Sequence, residues 1–335
     1  MVFTDKRVSA QKQFVYAPTM MDQMSGYIGD TMLVNGTPDP WLSVDGGLYR
    51  FRFLNGCNAR ICKVAFADEH PLKVIGTDGG LLAAPLDATW VTLAPGQRIE
   101  VLVDFSGYAV GSSVVLKSLA FDTGGGMSMG GPEQGSAIDL IRVYVDGPIS
   151  GKPQVPQALG AFLALSASDA KRTRVFNLAM SGMVHTINGK LYDAERVDFS
   201  VPFGDLEIWE YRNTGTEPHP MHAHGGHCRI LSRSTTAVLA PEDRGWKDTV
   251  LVNAGETVRV LTRFDSHPGV FVHHCHNLEH EDSGMMQNFQ VLAPPTLSIE
   301  RTGTDVRISW EDPAPGWRLE SAAEIAGDHW DSVPD

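Results

Sequence analysis

The chain has 335 residues, of which 42% are hydrophobic and 20% charged, a balance typical of folded globular proteins rather than disordered ones. Forty acidic residues against 27 basic ones give a formal net charge of −13, which argues against nucleic acid as a partner. The sequence contains no apolar run of about 18 residues, so we expect no membrane span.

Short alternating runs separated by Gly and Pro predict an all-β chain, and two of these runs recur at nearly one spacing. Leu48–Leu54 matches Leu206–Arg212 at an offset of 158 residues. Pro95–Phe105 matches Ala254–Phe264 at an offset of 159. Because two independent strand patterns share almost the same offset, the sequence indicates two copies of one β-sandwich domain.

The repeat divides the chain into predicted domains. We predict a first domain over residues 1–148, a linker over 149–171 and a second domain over 172–293. After Pro294 and Pro295 short alternating runs begin again without metal-ligand residues in the runs themselves. Residues 296–335 are therefore expected to form an incomplete small β-module.

Most potential metal ligands lie in the second copy. Nine of the twelve histidines fall between His219 and His280, in a stretch that also contains Cys275 and is soon followed by Met285. Two histidines, a cysteine thiolate and a weak axial methionine form the ligand set of a blue-copper electron-transfer site. The remaining histidines indicate a second copper centre beside the first. Zinc also binds Cys and His, but a structural zinc site has no use for so many further histidines.

Strand alternation sorts these side chains into two clusters, because residues of equal parity share one face of a strand. His219 then lies with Cys275, and a loop can return His280 and Met285 to the same cluster. One peptide bond on either side of Cys275 joins this cluster to the second, which is a short covalent path for electrons. Four histidines form the second cluster: His222, His224, His274 and His276. Structural or supporting roles are expected for two histidines that fit neither cluster, His227 and His273.

The two ligand stretches, residues 219–225 and 274–285, resemble the C-terminal motifs of the three-domain multicopper oxidases. The similarity is greatest to the laccase-like, copper-efflux and bilirubin oxidase group, and it covers about residues 1–293. It implies two cupredoxin-like Greek-key β-sandwich domains. Further stretches resemble the family's middle or last domain: Gly29–Gly36, Phe53–Arg60, Val74–Leu82 and Gly245–Val250.

The resemblance implies a role for each ligand. A type 1 copper would be bound by His219, Cys275, His280 and Met285. A type 2 copper would be bound by His222, and a type 3 pair by His224, His274 and His276. Cys275, His280 and Glu281 are the expected catalytic residues, with electrons arriving from the substrate at an exposed edge of His280, and with Glu281 relaying protons. Dioxygen is the expected electron acceptor and is reduced to water.

The resemblance implies a trinuclear site with twice as many histidines as the second cluster contains. The first copy does not supply the missing half. The family's first domain supplies two His-X-His pairs, whereas residues 1–150 contain only His70. At an offset of 158, the places of the three histidines of the 219–225 motif are taken by Ile61, Val64 and Phe66. The chain is therefore expected to be domains two and three of a three-domain oxidase. Its type 1 site would be complete, its type 2 and type 3 sites half-complete, and the chain alone inactive without the first domain.

Two alternatives share parts of this pattern. A two-domain blue-copper electron-transfer or copper-binding protein without oxidase activity needs only the first cluster, and the presence of the second argues against it. Copper nitrite reductase also has duplicated cupredoxin domains, but its blue copper lies in the first domain, which is histidine-poor here.

Several properties stay open at this stage. The reducing substrate could be a phenol, a pigment or a metal ion, and whether Met127 and Met129 bind copper is undecided. The resemblance implies a periplasmic or extracellular location, although the chain begins without the apolar core of a signal peptide.

Overall fold

A computed structural model of the chain describes residues 1–122, 133–149, 151, 154–161, 165–310, 320–321 and 331–333. Met127 and Met129 lie outside the described residues. No helix in the described part of the chain is both long and apolar enough to cross a membrane.

The first half of the chain consists mainly of strands. In chain order its elements are β1 (Val2–Val8), β2 (Phe14–Val15), α1 (Met20–Ser25), β3 (Thr31–Val34), β4 (Thr37–Pro38), β5 (Trp41–Asp45), β6 (Leu48–Asn55), β7 (Cys62–Phe66), β8 (Leu72–Thr77), β9 (Gly80–Ala88), β10 (Trp90–Leu93), β11 (Arg98–Asp104), a 3-10 helix (Phe105–Gly107), β12 (Ser112–Ser118) and β13 (Ile138–Gly147).

These strands form two sheets that share one apolar core. The order of the first sheet is β4-β3-β1-β6-β11-β8-β9, with β2 paired to β1, and that of the second is β10-β7-β12-β13-β5. Alternation along β6 turns Phe51 and Phe53 inward, where they join Val101 from β11. Val64 and Leu116 enter the same core from the second sheet. Each such fully buried side chain stabilises the fold by about 1.5–3 kcal/mol relative to an exposed one.

The second half repeats this arrangement. Its elements are a 3-10 helix (Ala167–Asp169), β14 (Arg172–Ser181), β15 (Val184–Ile187), β16 (Val197–Pro202), β17 (Leu206–Asn213), β18 (His219–Ala223), β19 (His227–Arg233), a 3-10 helix (Pro241–Asp243), β20 (Thr249–Val252), β21 (Thr257–Arg263), β22 (Gly269–Cys275), α2 (Leu278–Asp282) and β23 (Met286–Leu292). The described part of the C-terminal segment has β24 (Ser298–Thr302), β25 (Asp305–Ser309), β26 (Glu320–Ser321) and β27 (Asp331–Ser332).

Within the described residues, each strand of the second half has a counterpart in the sheet orders of the first half, which has β2, β4 and β9 in addition. The second half has sheets β15-β14-β17-β21-β19 and β16-β23-β22-β18-β20. β6 begins and ends 158 residues before β17. β6 pairs antiparallel with β11, and β17 pairs antiparallel with β21, the strand that corresponds to β11. Trp209 and Val260 from one sheet share a core with Met221 and Phe289 from the other. The predicted all-β fold with two cupredoxin-like sandwiches is confirmed, whereas the exact domain bounds stay predictions.

The expected match between the two copies is wrong by one residue at the ligand strand. β7 begins at Cys62 and β18 at His219, and in each copy this first residue pairs with the last residue of the adjacent strand, β10 or β20. Cys62, not Ile61, therefore holds the place of His219, and Ala65 holds the place of His222. The shift arises because the connection between β6 and β7 is one residue longer than that between β17 and β18.

A buried asparagine at the end of β17 holds the loop that leads to β18. Asn213 Nδ2 faces the carbonyl oxygens of Glu217 at 2.8 Å, Asn253 at 3.0 Å and Val252 at 3.3 Å. Its side-chain oxygen accepts a hydrogen bond from the Gly215 N–H at 2.9 Å. The asparagine therefore ties the loop to the end of β20, and it fixes where β18 begins.

We predict that Asn213→Ala lowers the free energy of unfolding by about 2–3 kcal/mol, because it leaves buried carbonyl groups without a donor. Asn55→Ala should cost a comparable amount, since Asn55 Nδ2 donates to the carbonyl oxygens of Arg60 and Leu93, both at 2.7 Å, in the first copy. Urea unfolding measures both changes. Ser43→Ala, which removes an exposed hydrogen bond, is the control and should cost less than about 0.5 kcal/mol. Equal small losses in all three variants would contradict the prediction.

Candidate metal centre

Two adjacent strands of one sheet, β18 and β22, carry four of the eight predicted ligands, and His224 and His276 directly follow them. Their antiparallel register places Met221 opposite Cys275 and His222 opposite His274. Because successive side chains point to opposite faces, Cys275 faces the apolar core, whereas His222 and His274 face away from it. The register therefore separates the ligands into two clusters on either side of one sheet.

The first cluster is a compact triangle of three donor atoms. Cys275 Sγ lies 3.6 Å from His219 Nδ1 and 3.7 Å from His280 Nδ1, and the two nitrogens are 3.2 Å apart. The point equidistant from these atoms is about 2 Å from each, close to the bond length between a zinc-sized transition-metal ion and imidazole nitrogen. A sulfur and two nitrogens in a trigonal arrangement are the equatorial set of a blue-copper site. The donor set fits the ion that the resemblance implies.

Helix α2 returns the chain to this triangle after Cys275. Met285 is fully buried in the same core as Cys275. The Cys275 N–H donates to the Met285 carbonyl at 3.1 Å, and the Met285 N–H donates to the His280 carbonyl at 2.9 Å. Gly284, with a φ of +99°, provides the turn that precedes Met285. The predicted fourth ligand is thus held beside the other three by main-chain hydrogen bonds.

Burial keeps the donors of the first cluster uncharged. It raises the pKa of the Cys275 thiol and lowers the pKa of His219 and His280 well below the usual value for histidine. Both imidazoles therefore remain neutral and keep a lone pair for a metal. A bound cation would favour the thiolate form of Cys275, as in other metal-ligating cysteines.

The expectation that His280 has an exposed edge is wrong, because its ring is completely buried. His280 Nε2 lies 2.9 Å from the Met24 carbonyl oxygen, which belongs to α1 in the first half. Since a carbonyl only accepts, Nε2 carries the proton and Nδ1 presents its lone pair to the triangle. Glu279 holds the two halves together here, accepting from the Tyr27 N–H at 2.8 Å and from Asn58 Nδ2 at 3.0 Å.

His185 on β15 is a member of the first cluster that sequence reasoning missed. Its ring centroid lies 3.9 Å from that of His280 and 4.9 Å from that of His219. His185 Nε2 donates to the Met24 carbonyl at 2.8 Å, the same acceptor that His280 uses. His185 stands alone in the sequence, 34 residues before His219, so no spacing pattern points to it.

The second cluster consists of four imidazole rings. The ring centroids of His222 and His224 are 4.7 Å apart, and His224 Nε2 lies 3.2 Å from His274 Nε2. These three residues offer ligand atoms that all lie within 4.8 Å of one another. His276 is farther out, with its ring centroid 5.8 Å from those of both His222 and His274. The cluster opens to the surface at His224, which is exposed.

Main-chain carbonyls fix how two of these rings are protonated. His222 Nδ1 donates to the Asp248 carbonyl at 2.9 Å, and His274 Nδ1 donates to the Cys275 carbonyl at 2.9 Å. Both rings therefore present an unprotonated Nε2 when they are neutral. Burial lowers the pKa of His222 to about 4, so its neutral form prevails near pH 7. Uncharged nitrogen donors that converge on one space fit metal ions of the copper and zinc type.

The two histidines that fitted neither cluster have different surroundings. His273 is buried among Phe176, Trp209 and Tyr211, with ring centroids 4.7, 5.4 and 5.5 Å away. Burial lowers its pKa to about 3, and it packs as a neutral ring in the core. His227 is exposed at the start of β19.

Comparison with known families agrees with this geometry. Two family profiles, each described as multicopper oxidase, match residues 5–124 and 165–294. Bilirubin oxidase from Albifimbria verrucaria is 32% identical over 90% of this chain and 54% of its own length. The cell division protein FtsP from Dickeya dadantii is 34% identical over 85% of this chain and 59% of its own length. The chain thus spans about half the length of the curated relatives it matches.

A solved structure shows the same fold. The crystal structure of the McoA multicopper oxidase from Aquifex aeolicus superposes with a TM-score of 0.79 at 34% sequence identity. The match covers 87% of this chain and 64% of that chain.

We predict that Cys275→Ser abolishes the intense visible absorption that a copper–thiolate bond produces when Cu(II) is added to the metal-free protein. Cys228→Ser is the matched control, since Cys228 is also buried in the second half and has no place in either cluster. Visible absorption spectra of the two variants and the parent chain measure the effect. The same band in all three proteins, or no band in the parent chain, would contradict the assignment of Cys275.

Proposed function

Because the chain belongs to the multicopper oxidase family, we propose that it is the copper-binding part of an oxidase that uses dioxygen to oxidise a small reductant. One observation carries this proposal. Two clusters of metal-ligand residues lie on opposite faces of the β18–β22 pair and share Cys275 as their connection.

The proposed ligand sets follow the two clusters. Type 1 copper would be held by His219, Cys275, His280 and Met285, type 2 copper by His222, and the type 3 pair by His224, His274 and His276. Copper, when bound, supplies one-electron redox chemistry at the first cluster and the reduction of dioxygen to water at the second. The trigonal triangle and the fixed imidazole tautomers support this assignment.

The main chain around Cys275 connects the two clusters. His274 and His276 are its immediate neighbours, and His274 Nδ1 also donates to the Cys275 carbonyl at 2.9 Å. One ring of the second cluster is thereby bonded to the cysteine both covalently and through a hydrogen bond. Residues 274–276 alone therefore connect the two clusters.

Glu281 is the proposed proton carrier of the second cluster. Its carboxylate oxygen Oε2 lies 3.4 Å from His274 Nδ1, and its side chain is 28% exposed. Burial raises the pKa of Glu281, which brings the carboxyl group closer to the range where it can both take up and release a proton. Its partial exposure gives the proton a route to solvent.

Access of the reductant to the first cluster is controlled by α1. The Met24 carbonyl covers Nε2 of both His280 and His185, so a reductant that approaches over α1 meets this helix first. Met20 and Met21 form part of the outer surface of α1, with exposures of 61% and 40%. We propose a phenol, a pigment or a metal ion as the reductant, and a periplasmic or extracellular location.

The second cluster is proposed to be half of a trinuclear site. It contains four histidines where the resemblance implies eight, and it is open to solvent at His224. The remaining ligands would come from two His-X-His pairs outside this sequence, in a domain that covers the open side. Residues 1–148 then form a copper-free domain, 149–171 a linker and 172–293 the copper-binding domain.

The test is to load the purified chain with copper and to measure both its visible spectrum and its consumption of dioxygen with a phenol. We expect an intense thiolate band and no sustained reduction of dioxygen to water. Sustained turnover by the chain alone would overturn the half-site proposal. Copper binding without a thiolate band would overturn the type 1 assignment. The alternative of an electron-transfer or copper-binding protein is favoured if a first domain with two His-X-His pairs, added in excess, restores no activity.

We also predict that Met285→Leu raises the reduction potential of the thiolate-bound copper, because a thioether donor stabilises the oxidised ion more than the reduced one. A tenfold change in the redox equilibrium is about 59 mV for a one-electron couple, and a change of roughly this size is expected. Redox titration of the visible band measures it. Met286→Leu, which alters the next residue at the start of β23, should leave the potential unchanged. Equal shifts in both variants would exclude Met285 as the axial ligand.

A further inference from the structure

The first half of the chain contacts the second cluster although it contributes no histidine to it. The turn before β11 packs against His276, where a side chain on Gly96 would clash. A Cβ atom on Gly96 would lie 2.5 Å from His276 Cδ2, and the residue has a φ of +80°. This turn therefore touches the proposed type 3 ligand, and the residue that begins β11 two positions later reaches further into the second half.

That residue is Arg98, which forms a bidentate ion pair across the boundary between the halves. Its Nη1 and Nη2 donate to the two carboxylate oxygens of Asp248, each at 2.7 Å. The guanidinium is itself fixed, because Nη1 also donates to the Gly96 carbonyl at 3.0 Å and Nη2 to the Asp78 carbonyl at 3.1 Å. Arg98 thus binds Asp248 in a single orientation, as planar arginine–carboxylate pairs do.

Asp248 in turn is the residue that holds His222. Its carbonyl accepts the hydrogen bond from His222 Nδ1, and its carboxylate oxygen Oδ1 lies 3.7 Å from the same nitrogen. Thr249 Oγ1 donates to that Oδ1 at 3.0 Å and lies 3.2 Å from His222 Nδ1. The His222 ring is therefore surrounded on its Nδ1 side by groups whose positions depend on the Asp248 carboxylate.

We propose that Arg98 is a positioning residue for His222: by clamping Asp248 it keeps the imidazole in the orientation that turns Nε2 into the second cluster. This inference rests on the proposed function only in assigning His222 as a copper ligand. The orientation of the ring is a property of the metal-free chain.

The physical reason is competition for His222 Nδ1. With Arg98 in place, both oxygens of the Asp248 carboxylate are occupied, and the main-chain carbonyl remains the acceptor for Nδ1. Without Arg98 the carboxylate keeps only the Thr249 hydroxyl of these donors, and it can turn toward His222 Nδ1, which already lies 3.7 Å from Oδ1. Loss of groups that orient a metal-binding histidine typically weakens metal affinity 10- to 100-fold.

The first measurement needs no metal. In a chain labelled with 15N-histidine, long-range 1H–15N spectra report which nitrogen of His222 carries the proton, and His222→Gln identifies the signal. We expect the Nδ1–H tautomer in both the parent chain and Arg98→Met, because carbonyl and carboxylate oxygens both accept from Nδ1. In Arg98→Met the Nδ1–H proton and nitrogen resonances should move, because the acceptor changes from the Asp248 carbonyl to its carboxylate and the ring turns with it. Arg98→Lys, which keeps the charge but not the bidentate geometry, should give an intermediate result and guards against a folding failure of the first variant.

The second measurement is a Cu(II) competition titration followed by electron paramagnetic resonance and visible absorption. Arg98→Met should weaken copper binding at the sites without a thiolate roughly 10- to 100-fold and leave the intense band of Cys275 unchanged. Arg50→Met is the control, because Arg50 forms an exposed pair with Glu100 on the same sheet and should change neither signal.

The outcomes separate the two proposals. Unchanged Nδ1–H resonances and unchanged affinity in Arg98→Met overturn the role of Arg98, and so does a parallel loss of the thiolate band, which would indicate general damage to the fold. A parent chain that binds no copper at the second cluster overturns the proposed function instead. The Nδ1–H measurement then still decides whether Arg98 positions His222.

Discussion

The register between β18 and β22 is the constraint on which both clusters depend. It sets Met221 against Cys275 and His222 against His274, so that one face of the pair is apolar core with a thiol and the other is a group of imidazoles. Because the side-chain period of a strand is two, a slip of β18 by one residue would turn His222 into the core and His219 and Met221 out of it. The loop anchored by the buried Asn213 opposes this slip, since it fixes the residue at which β18 begins.

No attraction between charges holds the donors of the first cluster together. Three imidazoles and a thiol share a space with no charge of their own, and burial disfavours the charged form of every one of them. Their positions are therefore imposed from outside, by the turn through α2 and by the Met24 carbonyl, which accepts from both His280 and His185. A site held this way is preorganised, because the surrounding fold and not the metal has already oriented the donors.

Sequence periodicity predicted the parts of this molecule that depend on local geometry. Parity along two strands sorted Cys275 from His222 and His274, and the repeat at 158 residues identified β6 and β17 with their first residues. What it missed depends on contacts between distant segments. His185 and His280 both contact the Met24 carbonyl, which is 161 and 256 residues away from them in the sequence. The one-residue error at Cys62 came from loop length, which an offset between strands does not measure.

The two copies show that ligand identity and fold are separable in this chain. Two corresponding strand positions hold Cys62 and Ala65 in one sandwich and His219 and His222 in the other, yet the orders of the corresponding strands agree. Apolar packing therefore suffices to build the scaffold, and the copy without these ligand histidines is free to take a different part. It supplies α1 over the first cluster, and Gly96 and Arg98 beside the second. The first half thus contacts both clusters although its corresponding strand holds none of the ligand residues, and its main-chain and side-chain groups help to fix their geometry.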